Sequence, residues 1–161
     1  MKYKIFISIC ICLIVPMAVM AQENLKIKGV FDRYGKQEGS TLVQLSSDIL
    51  SQGSNITFYK SMVTNEDIQK EKAAISAINS DSANGTKISE IKKNGKIESG
   101  TYFIGINKES GQKEYILYKN KSKKLTVVYL KGNFSPQQLD SELQKLKDLF
   151  IYVNNKRLKI Q

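Results

Sequence analysis

Histidine and tryptophan are missing from this sequence, and its only two cysteines, Cys10 and Cys12, lie near the amino end. Without histidine there is no Ser-His or Cys-His nucleophile pair. The same gap removes the His/Cys ligand sets that hold zinc or copper. Glycines do not cluster: Asn84-Gly85-Thr86 and Lys93-Asn94-Gly95-Lys96 read as turns rather than a phosphate loop. Serine and lysine are plentiful, and Ser89 and Lys92 have the spacing of a Ser-Lys dyad. That chemistry requires a buried lysine, and this segment is polar. The acids, from Glu66-Asp67 to Asp148, nominate no glycosidase-type pair. Asn79 to Gly85 echoes a calcium loop but lacks the closing glutamate. No catalytic, cofactor-binding or metal-binding residue is therefore expected, and the chain reads as non-enzymatic.

Long apolar runs are scarce too. The one from Ile5 to Val15 follows Lys2 and Lys4 and is broken by Pro16. It falls well short of the roughly 20 residues of a spanning helix. With Val19-Met20-Ala21 behind it, the run reads as a secretory signal peptide over residues 1–21, cut between Ala21 and Gln22. Cys10 and Cys12 each follow a bulky isoleucine, which argues against a lipoprotein. The expected product is periplasmic or secreted. It is one domain, residues 22–161, with a basic tail over about 154–161. It keeps 23 Lys and Arg against 15 Asp and Glu, a net charge of +8. No cysteine remains to cross-link it, so its core must hold it together. A positive surplus on an exported protein points to anionic company: a membrane surface or cell-wall polymer ahead of nucleic acid. A lysine-rich surface kept for solubility is the reading placed ahead of it. Lys119, Lys121, Lys123 and Lys124 form the densest basic cluster and the candidate anion patch; a solvated hairpin tip is the favoured reading of such a run.

What remains is rich in strand signals. Thr101 to Ile106, Glu114 to Tyr118 and Leu125 to Leu130 are three β-branched and aromatic runs separated by turn residues. This spacing predicts an antiparallel meander. Upstream, Asn24 to Tyr34 has helical periodicity and Thr41 to Leu45 reads as a strand. Ser46 to Leu50 reads as one helical turn. Ile56 to Val63 alternates, with Ile56, Phe58 and Met62 on one side and Lys60 interrupting them. An edge strand with an inward charge is expected there. Thr64 is expected to cap a helix whose face is Ile68, Lys72, Ile75 and Ile78, stopped by a left-handed Asn84-Gly85. Thr86 to Lys93 is ambiguous. Ile88 and Ile91 sit at helical spacing, while Asn94-Gly95 signals a hairpin and favours a strand. Phe134-Ser-Pro-Gln-Gln-Leu139 is a capping box with a hydrophobic staple. It opens a helix with Leu139, Leu143, Leu146 and Phe150 in one stripe.

The expected architecture is α+β: a mainly antiparallel sheet with a C-terminal meander, packed by two or three helices. The meander strands are apolar on both faces, so both need cover. One face should take the helices. The other is covered by the chain's own second layer, or it is a contact surface. Tyr102, Ile104, Tyr115, Leu117, Val127 and Tyr129 are the candidate interface residues.

Phe31-Asp-Arg-Tyr-Gly35-Lys-Gln-Glu-Gly39, Asn94-Gly-Lys-Ile-Glu-Ser-Gly100 and Leu125 to Gly132 before a capped helix carry a resemblance. With the leader ending at Ala21-Gln22, they resemble an uncharacterised family of small exported proteins from Gram-negative gut bacteria, a domain of unknown function. The likeness covers most of the chain after the leader, up to the last helix. It implies a fold rather than an activity, and no site residue can be carried over from it. It also implies a weak link to envelope-stress regulation. The functional expectation is a periplasmic binding or envelope-associated module, acting through an apolar sheet face and its lysines on an envelope component or a protein partner. An envelope hydrolase with a Ser-Lys or paired-carboxylate site, or an envelope-stress accessory protein, is the alternative.

Overall fold

The computed structural model describes residues 25–50 and 53–147. The expected leader, Asn24, Phe150 and the basic tail lie outside them. Six strands make one sheet: β1 (Thr41–Ser46), β2 (Ile56–Asn65), β3 (Thr86–Lys93), β4 (Lys96–Ile106), β5 (Lys113–Lys121) and β6 (Lys124–Gly132). Their order is β1-β2-β6-β5-β4-β3, and every neighbouring pair is antiparallel. The meander β4-β5-β6 is present as expected, and β2 then pairs with β6 across a long stretch of chain. The helices are α1 (Lys26–Tyr34), α2 (Ser47–Leu50) and α3 (Ile68–Asp81). A 3-10 turn (Pro136–Gln138) leads into α4, helical over 139–147. The α+β class and the antiparallel sheet hold.

Helices α1 and α3 share one face of the sheet. Ile27, Val30, Phe31 and Tyr34 of α1 meet Ala74, Ala77 and Ile78 of α3 over Met62, Ile116, Leu125 and Val127. The buried stripe of α3 is thus built on two alanines, which let the helices approach, and Ile68 stays 66% exposed. The face expected from Ile68, Lys72, Ile75 and Ile78 is displaced because small residues, not the largest, fit the helix-helix contact. The cap also moves. Thr64 is still in β2, and Asp67 accepts the amides of Gln69 and Lys70 at 2.8 and 3.0 Å. At the other end α3 stops at Ser82, whose hydroxyl donates to the Ile78 carbonyl. Neither Asn84 nor Gly85 is left-handed. Gly85 is needed for a close approach instead: a Cβ there would lie 2.0 Å from the Phe103 carbonyl oxygen.

Asp81 joins the two helices. Its carboxylate accepts the Lys26 and Ile27 amides, both at 2.8 Å, and so caps α1 from 55 residues away. Burial pushes this carboxyl up, against the downward pull of the two amides and of Lys26 and Lys28. Strand β2 is not an edge, since it lies between β1 and β6. Lys60 turns towards α1, with its ammonium 3.9 Å from Asp32 and 5.4 Å from the Phe31 ring centre. An amphipathic side chain of this kind covers apolar surface with its stem. A bulge between Ile56 and Phe58 sends Ile56 to the opposite face from Phe58 and Met62. Segment 86–93 is a strand, joined to β4 by Asn94 (φ 51°) and Gly95 (φ 76°). Both central residues are left-handed, as a two-residue hairpin turn requires.

The second face is covered at one end only by described residues. Leu50, Phe134, Leu139 and Leu146 gather over Ile56, Tyr115 and Leu130. Tyr115 stacks on Phe134 at 4.9 Å and donates its hydroxyl to the Phe134 carbonyl at 2.9 Å. The capping box is formed, with the Ser135 amide donating to Gln138 Oε1 at 2.9 Å. Glu142 holds α4 to the start of β2. Its buried carboxylate accepts from Ser54 Oγ (3.0 Å), Asn55 N (2.7 Å), Asn55 Nδ2 (2.9 Å) and Lys145 Nζ (2.8 Å). Burial alone would push this carboxyl up. Lys145 and the Ser54 and Asn55 donors outweigh it and bring it to about 2.

Candidate functional site

Strand alternation sorts every sheet residue onto one face or the other. On the second face the register builds three rows across the sheet. The first, Leu45-Tyr59-Leu130-Tyr115-Phe103-Thr86, lies under α2 and α4. The next is Val43-Ser61-Val128-Leu117-Thr101-Ser89. Leu117 and Val128 are half-buried and mark the limit of the apolar cluster. The third is Thr41-Val63-Thr126-Lys119-Ser99-Ile91, which lies outside that cluster. Val63 is 37% and Ile91 58% exposed in it. Beyond it Lys121 pairs with Lys124 in register. The face thus grades from aromatic, through small and hydroxyl-bearing, to cationic.

The six candidate interface residues do not form one surface. Tyr102, Ile104, Val127 and Tyr129 lie under α1 and α3, each no more than 8% exposed. Tyr115 faces the other way and is fully buried beneath Phe134. Leu117 alone borders the rows left uncovered by the described residues. Alternation within a strand separates neighbours correctly, but it does not say which face of one strand matches which face of the next. That is set by register, which places Tyr102 opposite Ile116 and Phe103 opposite Tyr115.

The lysines fare differently. Lys119, Lys121 and Lys124 share the face of Leu117, and all are exposed. Lys123 sits at the hairpin tip. It and Ser122 both adopt left-handed backbone, φ 60° and 56°, where Gly or Asn is usual. The tip is tied down by the Glu66 amide donating to the Lys123 carbonyl at 3.0 Å and by Lys124 Nζ donating to Asn65 Oδ1 at 2.7 Å. Beside it, a cleft of about 360 Å³ is lined by Glu66, Lys93, Asn94, Lys96, Glu98 and Asn120, among others.

Three polar clusters escaped the sequence reading. Glu114, 6% exposed, accepts from the Tyr129 hydroxyl at 2.5 Å and from Asn107 at 3.3 Å. Glu90 accepts from the Tyr102 hydroxyl at 2.8 Å and pairs with Lys87 and Lys92 at 3.1 and 3.4 Å. The Tyr102 hydroxyl and these lysines hold the Glu90 carboxyl below its usual range. The Tyr102 ring crosses Gly100, where a Cβ would lie 2.4 Å from the hydroxyl. Glu142 and its four donors are the third. The only sequence signal for any of these was a carboxylate at the head of an apolar run, at Glu114. Ser89 and Lys92 lie on the edge strand β3, and the Lys92 side chain is 58% exposed. This is not the buried setting a Ser-Lys pair requires. Asp81, from the calcium-like stretch, is occupied in capping α1. Among the described residues no group of three or more acidic, Cys or His side chains converges on a metal position. No described helix is long and apolar enough to cross a membrane.

Fold and face define an α+β protein on one six-stranded antiparallel sheet, helix-covered on one side and partly covered on the other. The chain belongs to a family of unknown function (DUF6108), whose model matches residues 14–143. That match stops within α4. No curated protein matches the chain.

Proposed function

We propose that this protein is a non-catalytic binding module of the bacterial envelope. It is exported by its leader and holds an anionic envelope component on the cationic end of its second sheet face. One observation carries the reading: Leu117 and three of the four clustered lysines, Lys119, Lys121 and Lys124, fall on one face and border rows that no described helix covers. An apolar strip running into a cationic one suits a ligand with both characters. Hydrogen exchange tests it. Addition of envelope fractions, lipid and polymer separately, to the chain from Gln22 onward should slow exchange in β5, β6 and the β5-β6 turn. Protection confined to the α1-α3 side, or turnover of an added envelope substrate, overturns the reading.

A further inference from the structure

We infer that the occupant is a bilayer surface bearing anionic lipid headgroups, met end-on by the sheet end that carries the β3-β4 and β5-β6 turns. This rests on the binding reading above and narrows it. Strands β2, β3 and β5 finish at that end, and β4 and β6 begin there, so both hairpin tips project together. Lys93, Lys119, Lys121, Lys123 and Lys124 are all exposed at it. Among the described residues no carboxylate lies within 4.0 Å of their ammonium groups. The acids nearby are largely engaged. Glu71 meets Lys96 at 3.9 Å, Glu90 meets Lys92, Asp67 caps α3, and Glu66 accepts from Asn120 at 3.2 Å; Glu98 lines the cleft.

Exposed aliphatic side chains accompany these lysines. Ile68 at the start of α3 is 66% exposed, Ile91 58% and Val63 37%. Three of the six large hydrophobics exposed on the described surface therefore sit at the lysine-rich end. Lysines for phosphates beside short aliphatics for the acyl boundary are the makings of a peripheral membrane contact. Other polyanions fit less well. Among the described residues none of the exposed large hydrophobics is aromatic, which gives bases little to stack on. The only arginine described is Arg33, on α1, and protein interfaces favour Arg and aromatics while they deplete Lys. The left-handed Ser122 and Lys123 point the same way. A lysine occupies a turn position where glycine would be unstrained.

Flotation with vesicles tests this, using the chain from Gln22 onward, which keeps every described residue and lacks the apolar leader. Vesicles of phosphatidylcholine with about one-third phosphatidylglycerol should carry the protein, and pure phosphatidylcholine should not. Binding should fade at about 0.5 M salt. K119Q/K121Q/K123Q/K124Q should lower partitioning by several hundredfold, at about fivefold per lysine. I68S/I91S should lower it while leaving the salt dependence in place, with circular dichroism confirming that both variants fold. Equal binding to neutral vesicles, no binding to anionic ones, or wild-type binding by the lysine variant overturns the bilayer assignment. If vesicles fail while a polymer or acidic protein still protects β5 and β6 from exchange, the lipid is wrong and the binding face stands. If nothing protects those strands, both fall.

Discussion

Two tyrosines on one strand make a controlled comparison of the same atom in different company. Tyr115 and Tyr118 are both buried, and burial pushes both hydroxyls up to about 12. Tyr115 donates to the Phe134 carbonyl, whereas among the described residues the Tyr118 hydroxyl has no well-formed hydrogen bond and feels only a weaker downward pull from the Asn120 side chain. A buried bonded hydroxyl contributes about 1 kcal/mol, and a buried unbonded one costs a similar amount. Tyr115→Phe should therefore lower the urea midpoint and Tyr118→Phe should leave or raise it; the reverse pattern would refute the assignment. The turn at Ser122-Lys123 is a second residue-scale case. Left-handed backbone costs a non-glycine residue on the order of 1 kcal/mol. S122N/K123G should raise the melting temperature by a few degrees. An unchanged or lower value would mean the turn is unstrained.

At the scale of elements, α4 depends on one carboxylate. Glu142 is lowered to about 2 in the fold from its ordinary 4.5. A depressed acid contributes stability that is fully present above its unfolded value and is lost as pH falls through the folded one. The loss should fall between pH 4.5 and about 2. Glu142→Gln should flatten the stability profile in that window and lower stability at neutral pH by roughly 2 kcal/mol, the cost of breaking a buried charged cluster. Urea melts at stepped pH would show it, and a variant with the parent's acid profile would exclude Glu142 as the anchor. Nothing near Glu142 in sequence announces this role, because Ser54 and Asn55 lie nearly 90 positions away. The Asp81 cap on α1 was hidden for the same reason. Features closed within a few residues were legible: the Asn94-Gly95 hairpin, the Ser135-Gln138 box and the meander. The α3 stripe was misread because contact selected Ala74 and Ala77 over larger neighbours. The interface set was misread because register between strands, not alternation within one, decides which side chains share a face. The lysine cluster was legible as a cluster, but its placement beside Leu117 needed the register too.

Across the whole molecule, the sheet order sets what opens first. The β2-β6 pairing joins residues 56–65 to residues 124–132 and lies at the sheet's centre beside β5. Its side chains meet α1 and α3 on one face and Phe134 and Leu139 on the other. Among the described residues strand β3 pairs on one side only, carries two register shifts, and buries no side chain completely. Amides held by buried contacts on both faces exchange only through global opening, whereas an exposed edge opens locally at much lower free energy. Native-state exchange should therefore place Ile116 to Tyr118 and Val127 to Leu130 at the slow limit, with a urea dependence matching global unfolding. The β3 amides bonded to β4 should exchange orders of magnitude faster and respond weakly to urea. Strand β1, the other edge, should behave like β3 at its Thr41 end, where Thr41 and Val63 are both exposed. Such a hierarchy would leave the proposed contact surface on a rigid β5-β6 floor with yielding strands at either side. Uniform exchange across all six strands would show a sheet that opens only as one unit, and the edges would then lend the surface no adaptability.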